Sequence, residues 1–321
     1  MTSAEAQDRI RQLRTEVSRH DELYYRNARP EISDFDYDRM RRELADLERA
    51  FPAEALAVGD ESPTRRIGDD RAQGFVRARH ASGMTTLVNT YDEAELREFD
   101  ARLVRVIGRE PLEYTVEPKI DGASISLIYE QGRLVRAITR GDGEEGDDVT
   151  ANVRTIRSLP QRLHASDGEA PVPEFVEIRG EIYLRFEEFN RINEEQDELG
   201  LERYANPRNL AAGTLKLLDP ALVAERRLEV VLYGLGACRP ATIVSSQVDW
   251  HRAVRAWGLP GLASVARARG IDEVLAAIRV LDSGRAGFPY ATDGAVVKLN
   301  DFAQQREAGF RGEGERARKL S

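Results

Sequence analysis

The 321-residue chain has one cysteine, Cys238. A single thiol allows neither a disulfide framework nor a cysteine-based zinc site, and it reads as a small buried hydrophobe. Long apolar runs are missing as well: no stretch approaches the roughly 20 residues that a membrane helix needs. The first residues are polar and charged, unlike a secretory leader. Together these absences exclude a membrane partner and make the cytoplasm the expected location. Positive charge is in deficit, with 47 Lys and Arg against 56 Asp and Glu, a net of -9. That balance does not advertise a nucleic-acid binder, although a local basic face, and not the total, is what phosphate contacts require. Internal repeats and low-complexity segments are absent. What remains is an ordinary globular composition, 41% hydrophobic and 32% charged, in a chain long enough for two domains.

The pattern divides near residue 72. Before it, Ile10, Leu13 and Val17 recur at helical spacing and lead into Leu23 and Tyr24. A break follows at Asn27-Ala28-Arg29-Pro30. Ser33 with Asp36 is a close variant of a capping box. Tyr37, Met40, Leu44, Leu47 and Phe51 then mark an apolar stripe that Pro52 stops. Residues 1–72 are thus expected to be a helical hairpin with Gly59–Gly74 as its linker. Residues 73–321 read as strands and irregularly placed helices, the mark of an α+β domain rather than a doubly wound one. The spacing predicts strands at Leu112–Pro118, Ser124–Tyr129, Arg133–Arg140, Phe175–Leu184, Leu228–Gly234 and Gly294–Leu299, with Gly132 in a turn. It predicts helices at Phe186–Leu199, Val248–Trp257 and Ile271–Leu281.

Three short segments carry chemistry. In Glu117-Pro118-Lys119-Ile120-Asp121-Gly122, an extended chain lets Glu117 and Lys119 face one cavity. A lysine attacks phosphorus only as the free amine, whose ordinary pKa is about 10.4; burial beside other cations would lower it. Gly122 allows close backbone approach. Arg179-Gly180-Glu181 lies in a β-like run. Asp293-Gly294-Ala295-Val296-Val297-Lys298 puts a lysine on an apolar strand, where a charge needs an anionic partner such as phosphate. Alone, each has a plain structural alternative: a solvated strand-end lysine, an exposed edge for Glu181, and a snorkelling Lys298. The acidic loop Gly141–Asp148 lacks both calcium-loop spacing and the Gly-Lys pair of a phosphate loop, so it reads as a hairpin turn presenting Arg140.

Taken together and in order, the three segments resemble motifs I, III and IV of the covalent nucleotidyltransferases, which include ATP-dependent ligases, NAD-dependent ligases and capping enzymes. The stretch from Pro30 to Asp38, Ser62-Pro63-Thr64, Thr139-Arg140-Gly141-Asp142-Gly143 and Asn206-Pro207-Arg208-Asn209 are similar to segments of the NAD-dependent bacterial DNA ligases. Asp34, Tyr37 and Asp38 would share one helix face, suited to the cationic ring and hydroxyls of nicotinamide mononucleotide.

The resemblance implies a helical NAD-recognition module (1–72) and an antiparallel-sheet nucleotidyltransferase domain of ATP-grasp-like ligase type (73–321). It implies that Lys119 attacks NAD, forms lysyl-AMP and releases nicotinamide mononucleotide, with Mg2+ at the phosphates but no assigned metal ligands. Tyr24 and Tyr25 match positions of the nicotinamide wall. Thr86 and Leu87 match positions beside the adenine. Glu117 corresponds to an adenine contact, Arg140 to one at the ribose or phosphate, Glu181 to a ribose contact, and Lys298 to a cation near the α-phosphate. Arg208 matches an arginine used at the phosphate and the nick, and Asp121 belongs to the same nucleotide-binding set. Nicked duplex DNA is the implied partner of the full enzyme, and a monomer the implied state.

Some positions depart from the family pattern. Gly83-Met84-Thr85-Thr86-Leu87 stands where the family has Pro-Met-Leu-Ser-Leu. Lys216 replaces an arginine and cannot offer its bidentate geometry, and Ile120 replaces a leucine. After Phe310 the polar Arg311–Ser321 stands where the family has an apolar strand with another lysine, which implies a piece of a longer enzyme. Two other readings stay open. An ATP-using nucleotidyltransferase is one, against which the Asp34–Asp38 segment argues; a non-catalytic NAD-binding relic is the other.

Overall fold

The computed structural model describes residues 2–21, 23, 31–32, 34–59, 62–65, 74–84, 87, 89–165, 170–241 and 243–309, without the side chains of 34, 35, 38 and 65. The chain starts with α1 (Ser3–Asp21) and α2 (Asp34–Ala50), whose apolar faces meet as the spacing predicts: Ile10, Leu13, Val17, Tyr37 and Leu44 form one buried cluster. Each fully buried aliphatic side chain contributes roughly 1.5–3 kcal/mol. Pro52 does more than stop α2. It occupies the first turn of a third helix, α3 (Pro52–Val58), where its missing N–H costs nothing, and Ala55 joins the cluster. The expected hairpin is therefore a three-helix unit.

Part of the expected linker folds back onto these helices. Glu48 accepts from Arg14 Nε at 2.8 Å, Ser62 Oγ at 2.8 Å and Thr64 Oγ1 at 2.9 Å. Ser62-Pro63-Thr64 is thus pinned to a buried carboxylate. Arg42 of α2 lies 4.8 Å from the Tyr91 ring centroid and pairs with Glu95, joining the helical unit to the remainder.

That remainder contains β1 (Arg77–Arg79), α4 (Glu93–Ile107), β2 (Glu113–Ile120), β3 (Ala123–Glu130), β4 (Arg133–Thr139), β5 (Glu145–Asp147) and α5 (Thr150–Val153). Next come β6 (Phe175–Tyr183), α6 (Phe186–Glu198), α7 (Pro207–Leu215), α8 (Pro220–Glu225), β7 (Glu229–Arg239) and α9 (Gln247–Ala256). The last described elements are β8 (Ala266–Arg269), α10 (Ile271–Gly284), β9 (Thr292–Leu299) and α11 (Phe302–Ala308).

All strand pairing is antiparallel, in sheets ordered β4-β3-β6-β7, β8-β2-β9 and β1-β5. This is the α+β class that the sequence suggests. The six expected strands all form. β2 runs two residues further than expected, so Lys119 lies within the strand, and β7 continues to Arg239. Helices α4, α7 and α8 were not anticipated; each opens with a side-chain cap, at Asp92, Asn206 and Asp219 respectively.

The four-stranded sheet has two unlike faces because successive strand residues point oppositely. Val176, Ile178 and Ile182 of β6 enter the main core with Ile125 and Leu127 of β3. Glu177, Arg179 and Glu181 lie on the other face, all buried. The chain crosses between the two larger sheets at Asp121-Gly122, from β2 into β3. A Cβ at Gly122 would sit 2.3 Å from the Ile182 carbonyl, so only glycine allows this close passage.

Candidate active site

The crossing lies at the end of the first of the three motif segments. Lys119 is near the end of β2, its side chain 35% exposed, and its ammonium pairs with the Asp293 carboxylate of the neighbouring β9. The cations expected to crowd this amine are not what it touches; its partner is an acid. Freeing the amine for attack therefore requires parting it from Asp293.

Two residues earlier, Glu117 is only 1% exposed. Its Oε1 accepts from Thr115 Oγ1 (3.0 Å), Gln247 Nε2 (3.2 Å) and His251 Nε2 (3.0 Å). Its Oε2 accepts from Lys298 Nζ at 2.6 Å. Burial pushes this carboxyl up, but the ammonium of Lys298 and the His251 contact outweigh it and hold the pKa down at about 2. Lys298 also donates to the Tyr233 carbonyl at 2.9 Å and lies 5.4 Å from the Tyr233 ring centroid. It is a paired, half-buried cation rather than a snorkelling one, and its anion in this structure is Glu117.

The Tyr233 hydroxyl continues the network by donating to Glu181 Oε2 at 3.1 Å, beside Ser124 Oγ at 3.1 Å. Burial raises the Glu181 carboxyl pKa; the nearby charge of Arg208, those two hydroxyls and the charge of Arg140 oppose the shift without overcoming it. Glu181 is on a central strand, so the exposed-edge alternative is excluded. Arg208 Nη1 donates to Asp121 Oδ1 at 2.6 Å. The local sequence accounts for this placement. Asn206 caps α7 by accepting from Asn209 N–H, Pro207 fits the first turn, and Arg208 is thereby aimed at the β2–β3 crossing. Arg140 follows directly on β4, and its carbonyl accepts from Gly143 N–H at 3.0 Å, closing the turn expected of this loop.

The structure thus gathers Glu117, Lys119 and Lys298 of one sheet with Asp121, Arg140, Glu181 and Arg208 around a single crossing. Of the remaining expected residues, two can be placed, Leu87 and Tyr37. Leu87 is 52% exposed. Tyr37 is 5% exposed in the helical core, its hydroxyl donating to Asp21, so its ring is packed rather than open to stacking. Asp34 and Asp38 share α2 with Tyr37 at the expected spacing, but their side chains are outside the described set. Tyr24, Tyr25 and Thr86 also lie outside the described residues.

Thr115, Ser124, Tyr233, Gln247 and His251 are partners that no sequence motif named. Gln247 and His251 are four apart on the face of α9 that also buries Trp250 and Val254, a polar pair on a core-facing stripe that was there to be noticed. The rest are ordinary strand residues with no local signal. Among the described residues no group of three His, Cys, Asp or Glu could hold a metal ion. None of its described helices is long and apolar enough to cross a membrane.

Residues 72–316 match the family model described as the NAD-dependent DNA ligase adenylation domain, and residues 3–68 match the one described as the DNA ligase-like, N-terminal NAD+-binding domain. The chain is 54% identical to DNA ligase 1 of Opitutus terrae over 310 residues, covering 96% of this chain and 45% of that protein. It is 44% identical to DNA ligase 2 of the same organism, covering 96% and 43%. With the DNA ligase of Parabacteroides distasonis it shares 46% identity, covering 94% and 44%. The chain spans a little under half the length of these curated relatives.

Proposed function

Since the chain belongs to the adenylation-domain family of the NAD-dependent DNA ligases, we propose that Lys119 takes AMP from NAD. The Lys119 amine forms an N–P bond to the α-phosphorus, and the P–O bond to the nicotinamide mononucleotide phosphate breaks, that group leaving with the electron pair. Asp293, the carboxylate in contact with Lys119, is placed to receive the amine proton. The observation that carries this reading is the convergence of Glu117, Arg140, Glu181, Arg208 and Lys298 on the crossing beside Lys119.

In this reading Glu117 takes the adenine edge, Glu181 the ribose hydroxyls, and Arg140 and Arg208 the ribose–phosphate region, with Asp121 orienting Arg208. Lys298 would reach the α-phosphate only by leaving Glu117; beside the base it can stay where it is. Thr86 and Leu87 flank the adenine. Tyr24, Tyr25, Asp34 and Asp38 of the helical unit serve the nicotinamide half, Tyr37 acting only by packing the helix that carries the two carboxylates, with the boundary between the two units near residue 72. Magnesium would arrive with the nucleotide phosphates, since it commonly binds through them and water. No step depends on it here. Within the longer protein the AMP would pass to the 5′-phosphate of a DNA nick. We further propose a monomer working in the cytoplasm.

Incubation with NAD and magnesium, followed by intact mass measurement, tests the assignment. NAD should leave one covalent AMP, ATP should leave none, and Lys119→Ala should carry no adduct. An adduct from ATP alone, or one retained by Lys119→Ala, would overturn it.

A further inference from the structure

A second buried charge cluster lies along the same strand as Glu181 and takes no part in the reaction above. Glu177, Arg179 and Glu181 alternate along β6 and share its polar face. Glu181 belongs to the pocket, whereas Glu177 and Arg179 engage the segment 80–84. Glu177, fully buried, accepts on Oε1 from the Ala81 backbone N–H at 3.1 Å and from Ser126 Oγ at 2.8 Å. Its Oε2 accepts from the Ser82 N–H at 2.9 Å and Ser82 Oγ at 2.8 Å, and pairs with Arg179 Nη2 at 3.2 Å. One carboxylate therefore grips two successive backbone amides. Burial alone would raise its pKa; the surrounding donors and the Arg179 charge hold it near about 2, so it stays ionised.

Arg179 extends the chain of contacts. Its Nη2 donates to the Ser82 carbonyl, and its Nη1 donates to His80 Nδ1 at 3.2 Å. A guanidinium cannot accept. With Nδ1 accepting from Arg179, Nε2 is the nitrogen that can donate to the Arg140 carbonyl, 3.1 Å away, while Glu177 Oε1 lies 3.7 Å from the same Nδ1. The backbone adds two more ties to the loop following Arg140: His80 N–H to Glu144 O at 3.0 Å, and Met84 N–H to Gly143 O at 2.8 Å. An unbroken path thus runs from Glu177 through Arg179 and His80 to Arg140.

We infer that Glu177, Arg179 and His80 are positioning residues for the adenosine half of the nucleotide: they lock segment 80–84, which leads into positions 86 and 87, against the Arg140 loop, so that base and ribose contacts are set as one unit. This inference rests on the adenylation reading above. None of the three touches Lys119 or Asp293, which belong to the other sheet, so their effect falls on nucleotide binding and not on the phosphoryl transfer itself.

The test compares Glu177→Gln, His80→Leu and His80→Gln with the natural chain, by AMP titration calorimetry, single-turnover adenylation with NAD and urea unfolding. A Gln at 177 turns an amide NH2 toward backbone N–H donors, and a Leu at 80 severs the path. Both should weaken AMP binding and raise the NAD concentration for half-maximal single-turnover rate (the KM of this step) by about tenfold, with the limiting rate (its kcat) held within about twofold. His80→Gln can accept from Arg179 and donate to the Arg140 carbonyl, and should stay within about threefold of the natural chain. Should a variant fail to fold, Ser82→Ala removes one Glu177 donor while keeping the backbone amide, and should shift the same constants by about threefold. Unchanged AMP affinity in the folded variants, a fall in kcat at constant KM, or no rescue by His80→Gln over His80→Leu would overturn the inference. Failure of the adenylation reading would show separately, as a natural chain that binds AMP yet gains no adduct from NAD.

Discussion

Replacing Lys298 with Met removes the cation of Glu117 and leaves its carboxylate 1% exposed. Breaking a buried ion pair by deleting one partner costs about 3–5 kcal/mol, because the survivor is an uncompensated buried charge. Glu117 keeps three donors on Oε1, from Thr115, Gln247 and His251, so the lower end, about 3 kcal/mol, is expected at pH 7.

The sign follows from linkage. A depressed carboxyl pKa adds stability that is fully present above about pH 4.5 and is lost as pH falls toward about 2. Without Lys298, burial governs Glu117, which then takes up a proton at higher pH, so the gap between natural chain and variant should shrink on acidification. Urea unfolding followed by tryptophan fluorescence suits the measurement. Trp250 and Trp257 are both buried at α9, the helix that carries His251. The double change Lys298→Met with Glu117→Gln removes both charges and should recover most of the loss. A single variant within about 1 kcal/mol of the natural chain at pH 7, or a gap that does not depend on pH, would refute this account.

Glu181→Gln should melt at or above the natural temperature at neutral pH while losing AMP affinity. Burial raises the Glu181 pKa, so ionising it in the fold is penalised and that penalty grows as pH rises; a clearly lower Tm would contradict this. Gly122→Ala forces a Cβ to 2.3 Å from the Ile182 carbonyl and 2.9 Å from Glu181 Cγ, so urea unfolding should show a loss of roughly 1–3 kcal/mol. Wild-type stability there would mean that the crossing is looser than described. Asp293→Asn should cost under about 1 kcal/mol, because its pair with Lys119 is half-exposed. It should nonetheless slow single-turnover adenylation tenfold or more through loss of the proton acceptor. An unchanged rate would remove Asp293 from the mechanism.

Strands β3, β4 and β6 were legible because β-branched residues crowd them and Gly132 marks the intervening turn. Helix α4 also had a local signal, since Asp92 caps it by accepting from Glu95 N–H, but its apolar residues Leu96, Phe99 and Leu103 were not read as a stripe. β8 reads Ala-Arg-Ala-Arg and pairs only because β2 supplies the neighbour. The site divides the same way. Lys119, Glu117, Glu181 and Lys298 were found through short motifs. Their partners were not, because Asp293 lies 174 positions from Lys119 and His251 lies 134 from Glu117. No local pattern encodes a contact of that separation.

The strand of Lys119 finds both of its neighbours, β8 and β9, far along the chain; Lys298 reaches Glu117 across 181 positions. Contacts so distant in sequence form slowly. A segment containing Glu117 and Lys119 but ending before β9 would hold the motif without the pocket. Ligand and fold are therefore thermodynamically linked over the whole span from 113 to 299. AMP at a hundred times its Kd would add about 2.7 kcal/mol to the unfolding free energy. Because β7 supplies Tyr233 and α9 supplies Gln247 and His251 to the site, that gain should appear as added hydrogen-exchange protection in β7 and α9 as much as in β2, and a bound nucleotide becomes a reporter that the chain has closed on itself.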